Sequence, residues 1–181
     1  MYNKIMKYFI YFSVFLFFPC LLFPQNDEYL TLYNEIINQN DFGSPVEGVI
    51  IFCDNYYCGF GYKLNRNEYE IIFSESCIIF GKGDQDIYSI CDGEIIDIDF
   101  FEFEKNLIGK ITIKNNNYEI EYYGVDINQD IRIGNKIEKG QLLGKFFYLF
   151  GSEMILSIKY KNYYFDPYLI LPGRKIKIDK Y

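Results

Sequence analysis

Alternation of apolar and polar residues dominates the sequence after residue 42. Ile96, Ile98 and Phe100 alternate with Asp97 and Asp99, which is the pattern of a strand with one apolar and one acidic face. Similar short runs, ended by Gly, Asn or Asp, predict further strands and tight turns. The predicted strands are 48–52, 68–74, 77–80, 87–91, 94–100, 110–114, 118–123, 142–147, 154–160 and 163–165. We therefore expect an all-β domain built as an antiparallel β-sheet or β-sandwich.

A helical pattern precedes this region. Leu30, Tyr33 and Ile37 recur at helical spacing behind the polar residues Asn26 and Asp27, which predicts one short amphipathic helix with a capped start. The period ends before residue 42, where short apolar runs take over. The helix and a linker are therefore expected over 26–41.

An uncharged, largely apolar run from Tyr8 to Phe23 follows Lys4 and Lys7, as in a signal peptide. The run is shorter than the roughly 20 apolar residues of a comfortable membrane span. It also lacks a clear cleavage site, so a signal peptide and an uncleaved membrane anchor both remain open. Cys20 follows Pro19 rather than a small residue, which disfavours acylation. The expected layout is a leader at 1–25, a helix and linker at 26–41, a β domain at 42–172 and a basic tail at 173–181.

The amino-acid composition excludes several classes of function. The chain has 181 residues, half of them hydrophobic, which is enough to bury a core. Its 18 basic and 25 acidic side chains give a net charge of −7, and no basic face is apparent that would neutralise nucleic-acid phosphates. The chain contains no histidine, which excludes every reaction that needs one.

Four cysteines follow the leader, namely Cys53, Cys58, Cys77 and Cys91. An even number in an exported chain permits two disulfides. Cys53 and Cys58 are spaced to close a hairpin, whereas Cys77 and Cys91 lie in apolar runs and fit either a disulfide or buried thiols. A zinc site on these cysteines is disfavoured, because no Cys-x-x-Cys pair occurs.

Glycine-punctuated motifs follow one another in an order that a β-rich composition does not require. These motifs are Ser44–Gly48, Gly59–Lys63, Ile87–Ile96, Ile111–Tyr123, Ile133–Gly144 and Asp166-Pro167. In this order the sequence resembles the lysostaphin/LytM-type zinc endopeptidases, which cut peptidoglycan cross-links, and the resemblance spans most of the chain. It implies the LytM-type β-sheet fold.

The resemblance also implies where the catalytic residues should stand. The family holds zinc with His, Asp and His and places a further histidine near the bound water, because the metal polarises the scissile carbonyl and activates the nucleophile. Here its His-x-x-x-Asp pair falls on Ser74 and Ile78, its Tyr-x-His-Leu histidine on Gly124, and its His-x-His pair on Glu153 and Ile155. All zinc ligands and catalytic histidines are missing, as in a degenerate member of the family.

Other chemistries find little support. The acidic residues within Gly81–Asp86 supply only a fragment of a calcium loop. Asp97/Asp99 and Glu119/Glu121 are explained by strand alternation rather than by a pair of glycosidase carboxylates. Cys77 has no histidine partner as a nucleophile. No cofactor is expected.

We therefore expect a non-catalytic, exported domain, in the periplasm or cell envelope, that binds through its former substrate groove. The resemblance implies a scaffold or activator of cell-wall hydrolases, or a peptidoglycan binder. The groove should be lined by the lost-ligand positions Ser74, Ile78, Gly124, Glu153 and Ile155. An uncleaved leader would add contact with the membrane.

Two alternatives remain open. One is a peptidoglycan-acting hydrolase with a rebuilt, histidine-free site. The other is a biotinyl/lipoyl-like domain, suggested by Asp92–Ile95 with Ile137–Gln141, although Lys114–Asn117 lacks the sequence context of a modified lysine.

Overall fold

The computed structural model describes residues 27–39, 42–53, 59–65, 70–103, 105–116, 118–147 and 152–178. The run at 8–23, interpreted above as a leader or anchor, lies outside these ranges. Within them, no helix combines the length and the apolar character needed to span a membrane.

Helix α1, Asp27–Gln39, confirms the predicted helix. The predicted apolar stripe is wrong, however. Leu32 and Ile36 are buried, whereas Leu30 and Ile37 are exposed. The sequence holds two overlapping stripes in this helix, and burial falls on the i, i+4 pair rather than on the predicted stripe.

Strands dominate the rest of the described chain, as the alternation predicts. A short helix, α2, covers Pro167–Ile170 and begins at Asp166, whose side chain accepts a hydrogen bond from the Tyr168 backbone N–H. In chain order the strands are β1 (Ile50–Cys53), β2 (Gly61–Asn65), β3 (Glu70–Ser74), β4 (Ser76–Phe80), β5 (Asp86–Tyr88), β6 (Gly93–Phe103), β7 (Asn106–Lys114), β8 (Tyr118–Ile127), β9 (Lys136–Ile137), β10 (Leu142–Phe146), β11 (Glu153–Tyr160), β12 (Tyr163–Phe165) and β13 (Lys175–Ile178).

One sheet contains most of these strands, in the order β13-β1-β4-β11-β8-β7-β6-β9. Neighbours are antiparallel except β1 and β13, which run parallel. β10 joins β5 to β8, β12 pairs with β11, and β2 and β3 form a separate hairpin. The expectation of an all-β, mainly antiparallel domain is confirmed.

The centre of this sheet has one buried face. On β8, Tyr118, Ile120 and Tyr122 are buried while the alternate residues Glu119 and Glu121 are only half-buried, as the alternation predicts. The same rule places buried Met154, Leu156 and Ile158 of β11 on the core side. The opposite side, which carries Glu119 and Glu121, is called the outer face below.

Several boundaries differ from the sequence prediction. The segment expected as a basic tail contributes β13, whose Lys175–Ile178 pairs with Ile50–Cys53. The strand expected over 87–91 ends at Tyr88, because the Ile90 backbone N–H donates to the Tyr122 hydroxyl and its carbonyl oxygen accepts from the Gly43 N–H. On β6 the apolar face is incompletely covered, and Ile96 and Phe100 are exposed beyond a bulge between Ile95 and Asp97.

A single hydroxyl ties the loop after β5 to the centre of the sheet. The Tyr122 side chain is fully buried, and its hydroxyl oxygen accepts a 2.8 Å hydrogen bond from the Ile90 backbone N–H. Burial raises the pKa of Tyr122 above its ordinary value, so the phenol stays neutral. Sequence alone places Ile90 in a strand and misses this contact.

Replacing Tyr122 with phenylalanine should lower the free energy of unfolding by about 1–3 kcal/mol, because the Ile90 N–H would be left buried without an acceptor. Urea unfolding followed by circular dichroism measures the change. Tyr168→Phe is the matched control, and it should change stability by less than about 0.5 kcal/mol. Equal losses for the two variants would show that the Ile90 hydrogen bond contributes nothing specific.

Candidate functional site

A row of side chains crosses the outer face at the centre of the sheet. Strand register places Ile78 of β4 beside Ile155 of β11, Ile155 beside Tyr123 of β8, Tyr123 beside Lys110 of β7, and Lys110 beside Asp99 of β6. We call these five residues the central row. Its first three members are half-buried, so the row is apolar at one end and charged at the other.

Two more of the lost-ligand positions adjoin this row. Glu153 lies two residues from Ile155 on the same face of β11, and Gly124 follows Tyr123 on β8. Gly124 has a φ of +94°, and a Cβ there would lie 2.7 Å from the Glu153 carbonyl oxygen. The backbones of β8 and β11 therefore approach too closely at this point for any larger residue, histidine included.

Ser74 stands apart from the other four positions. It ends β3, where it pairs with Gly61, and its hydroxyl donates a 3.1 Å hydrogen bond to the Ser76 carbonyl oxygen. The structure thus brings Ile78, Gly124, Glu153 and Ile155 together on adjacent strands. It places Ser74 on the connection that leads into β4.

The donor set at these positions does not fit zinc. Isoleucine and glycine side chains offer no lone pair, which leaves one carboxylate and one hydroxyl where the family's site needs histidines and an aspartate. Across the described residues, no group of three or more Cys, Asp or Glu is placed to hold a metal ion. No step of metal-assisted hydrolysis can be built on the side chains present at these positions.

A polar row runs beside the central row. It contains Ser76, Ser157, Glu121, Thr112 and Asp97 in register. Ser157 donates to the Glu75 carbonyl oxygen at 3.1 Å. Thr112 is buried, and its Oγ1 has no hydrogen-bond partner among the described residues. Sequence reasoning missed this row, because register between distant strands is what aligns it.

Lys110 explains the acidic pair on β6. Its Nζ lies 3.2 Å from an Asp99 carboxylate oxygen and 3.4 Å from one of Asp97. Burial disfavours the charged lysine, but hydrogen bonds to the two carboxylates outweigh it and raise the pKa of Lys110. Two carboxylates that share one ammonium serve as structural partners rather than as the acid and base of a glycosidase.

The cysteines offer no nucleophile among the described residues. Cys77 and Cys91 are buried and are not disulfide-bonded. Burial, reinforced by Asp92 and only partly opposed by Lys139, raises the pKa of Cys91 to about 12, so its thiol stays protonated at neutral pH. Cys53 is disulfide-bonded, while Cys58, its predicted partner, lies outside the described residues.

Gly124→Ala tests the close approach of β8 and β11. Gly134→Ala is its control, because Gly134 has a similar φ of +86° but open space around its Cβ position. Both variants should lose roughly 1–2 kcal/mol from the left-handed backbone. Gly124→Ala should lose at least about 1 kcal/mol more through its clash with Glu153. Equal thermal and urea stabilities for the two variants would contradict the close approach.

Comparison with solved structures identifies the fold. A structure of Helicobacter pylori Csd3 matches with a TM-score of 0.56 and 14% identity, over 76% of this chain and 36% of that chain. A chain of the SpoIIIAH and SpoIIQ complex matches with a TM-score of 0.52 and 12% identity, over 71% of this chain and 98% of that chain. The match therefore spans about a third of the length of Csd3.

Neither a protein-family model nor a curated protein matches the sequence. At identities this low, similarity to solved structures shows the fold alone. That fold agrees with the motif order in the sequence. The chain has a LytM/lysostaphin-like peptidase fold.

Proposed function

We propose that this protein is a non-catalytic binding domain of the bacterial cell envelope, which docks a protein partner such as a cell-wall hydrolase on its outer face. One observation carries the proposal: Ile78 and Ile155, which the sequence resemblance aligns with metal-ligand positions of the LytM-type family, are cross-strand neighbours. Two adjacent isoleucines convert a site for a hydrated ion into an apolar surface.

Side-chain chemistry supports the non-catalytic part of the proposal. The whole chain lacks histidine, and the β8–β11 approach at Gly124 leaves no room for one. Buried Cys91 stays protonated, and Asp97 and Asp99 are engaged by Lys110. No histidine can serve as a general base, and the described residues contain no group of three or more Cys, Asp or Glu placed to hold a metal that would activate water.

The apolar end of the central row favours a protein partner over a glycan. Ile78 and Ile155 are half-buried, and Tyr123 continues the surface with its ring centroid 5.2 Å from that of Phe101. Aromatic and aliphatic side chains of this kind form the centres of protein interfaces. Sugar and peptide-stem ligands would require more hydrogen-bonding groups than isoleucine provides.

Two further considerations support docking in the envelope. The matched chain of the SpoIIIAH and SpoIIQ structure belongs to a complex of two proteins, so this fold is compatible with partner binding. The apolar run at 8–23 has the layout of an export signal or anchor. Peptidoglycan itself is the competing ligand, and the experiments below distinguish it from a protein partner.

A photoreactive benzoylphenylalanine at position 155 of the full-length protein should cross-link to one discrete partner in cells, because the residue faces outward within the apolar surface. Position 138, exposed in a turn, is the control and should not yield that product. The cross-link should disappear when Ile78→Lys is added, since a charge would then stand inside the interface. Gel shift and mass spectrometry read the result.

A different outcome is that the purified protein binds isolated peptidoglycan, loses that binding on Ile78→Lys, and gives no protein cross-link. That combination would show that the surface binds the cell wall and not a protein. Stoichiometric zinc together with chelator-sensitive release of peptidoglycan fragments would overturn the non-catalytic assignment. Neither result depends on knowing the partner beforehand.

A further inference from the structure

Strand β6 forms an open edge of the main sheet. β9 pairs with it only at Gly93 and Glu94, and backbone hydrogen bonds from Ile95 to Asn135 and from Gly134 to Ile95 end the contact. Beyond Ile95, no strand in the described part of the chain lies on this side of β6. Alternate backbone N–H and C=O groups from residue 97 to 103 therefore face outward.

This edge is only partly protected against pairing with another chain. Natural edge strands are protected by short length, by proline, by charged side chains, especially lysine, or by bulges. β6 has eleven residues and no proline or lysine, so its protection is limited to acidic side chains and the bulge between Ile95 and Asp97. Three of its large apolar side chains are exposed: Ile96, Phe100 and Phe101, with exposed fractions of 40%, 56% and 42%.

An apolar cleft lies beside the same edge. Ile98 and Phe100 form one wall, and Ile127 at the end of β8 forms the other together with Ile131 and Ile133 of the loop that follows, around a volume of about 740 Å³. The Arg132 guanidinium donates hydrogen bonds to the carbonyl oxygens of Gln129 and Ile131, which fixes this loop. A strand added to β6 would direct alternate side chains into the cleft.

The opposite side of the edge is acidic. Between residues 97 and 102, this side of β6 carries Asp97 and Asp99, while the facing part of β7 supplies only Lys110. Glu102 falls on the cleft side, together with Ile98 and Phe100. Two carboxylates against one ammonium leave one negative charge in excess. A second copy of β6 would double that excess, and like charges in register destabilise a strand pair.

We infer that the β6 edge binds an extended segment of a basic partner protein, which adds to the sheet as a further strand. Its basic side chains lie next to Asp97 and Asp99, and its alternate apolar side chains enter the cleft. β7 shows this complementarity on the other side of β6, since Lys110 contacts both aspartates and Ile111 pairs with Ile98. Backbone hydrogen bonds supply affinity and the cleft supplies specificity.

Fluorescence anisotropy with the full-length protein tests this. A labelled nine-residue peptide that alternates lysine with valine should bind, and its affinity should fall as salt rises. The same peptide with glutamate in place of lysine should bind at least about tenfold more weakly, because it repeats the charge of the edge. Equal binding of the two peptides would overturn the inference.

Backbone methylation distinguishes strand addition from simple charge attraction. Lysine and valine amides point to opposite edges of an extended peptide. N-methylation of one set should abolish binding, and methylation of the other should leave it intact. Binding retained by both peptides, or lost by both, would exclude the added strand.

Variants locate the site. Asp97→Asn combined with Asp99→Asn should weaken binding about fivefold to tenfold, as expected for two exposed charge pairs. Glu47→Gln, an exposed acid outside this edge, should leave affinity unchanged. Should the double variant fail to fold, hydrogen exchange on the unaltered protein decides, since amides from 97 to 103 should gain protection when peptide is added.

Two outcomes would contradict the assignment. Unchanged exchange in this segment at saturating peptide would place the site elsewhere. Concentration-dependent self-association that Phe100→Lys abolishes would assign the edge to a second copy of this chain. Of the central row these variants alter only Asp99, at its charged end. Ile78 and Ile155, on which the docking proposed above is tested, stay unchanged, so the two proposals are tested separately.

Discussion

The register between β8 and β11 is the constraint on which the rest of this structure depends. Strict alternation puts Tyr122 and Leu156 in the core, and their neighbours Tyr123 and Ile155 therefore stand on the outer face. A slip of one residue would exchange the two faces along the whole ladder. Tyr122 reinforces this register by accepting a hydrogen bond from Ile90, and Gly124 reinforces it by allowing close backbone contact with Glu153. The core and the candidate site are thus two sides of one pairing.

This coupling separates the residues that build the scaffold from those of the proposed docking surface. The predicted lost-ligand positions Ile78, Glu153 and Ile155 lie on the outer side of strands whose inner side builds the core. Ile78 and Ile155 alternate along their strands with the buried residues Cys77 and Leu156. Stability comes from the inner residues, while function is set by the alternate ones. Substitutions on the outer face therefore leave the core side of these strands unchanged, which is what the proposed docking surface requires.

Features that depend on local alternation or on motif order could be predicted from the sequence. The strands around Tyr122 and Leu156 were predictable, and so was the β-sheet fold. Positions 78, 124, 153 and 155 were named from spacing, and the structure places them on adjacent strands. The prediction of which stripe of α1 is buried was wrong, because two apolar stripes overlap within its thirteen residues. β13, the polar row and the open edge of β6 were missed, because each depends on which distant strands become neighbours. Propensity contains no information about that choice.

The parallel pairing of β1 with β13 has a consequence for how the domain is made. Ile50 pairs with Lys175, so the contact joins segments near opposite ends of the domain and closes one of its longest loops. Such non-local contacts form slowly, because the chain loses the entropy of closing the loop before the strand pairing contributes any stabilising contacts. While the chain emerges from a ribosome or a translocation channel, β1 must wait with an unpaired edge until the last strand arrives. The interval in which this edge is open to aggregation is therefore set by the time needed to deliver the whole domain.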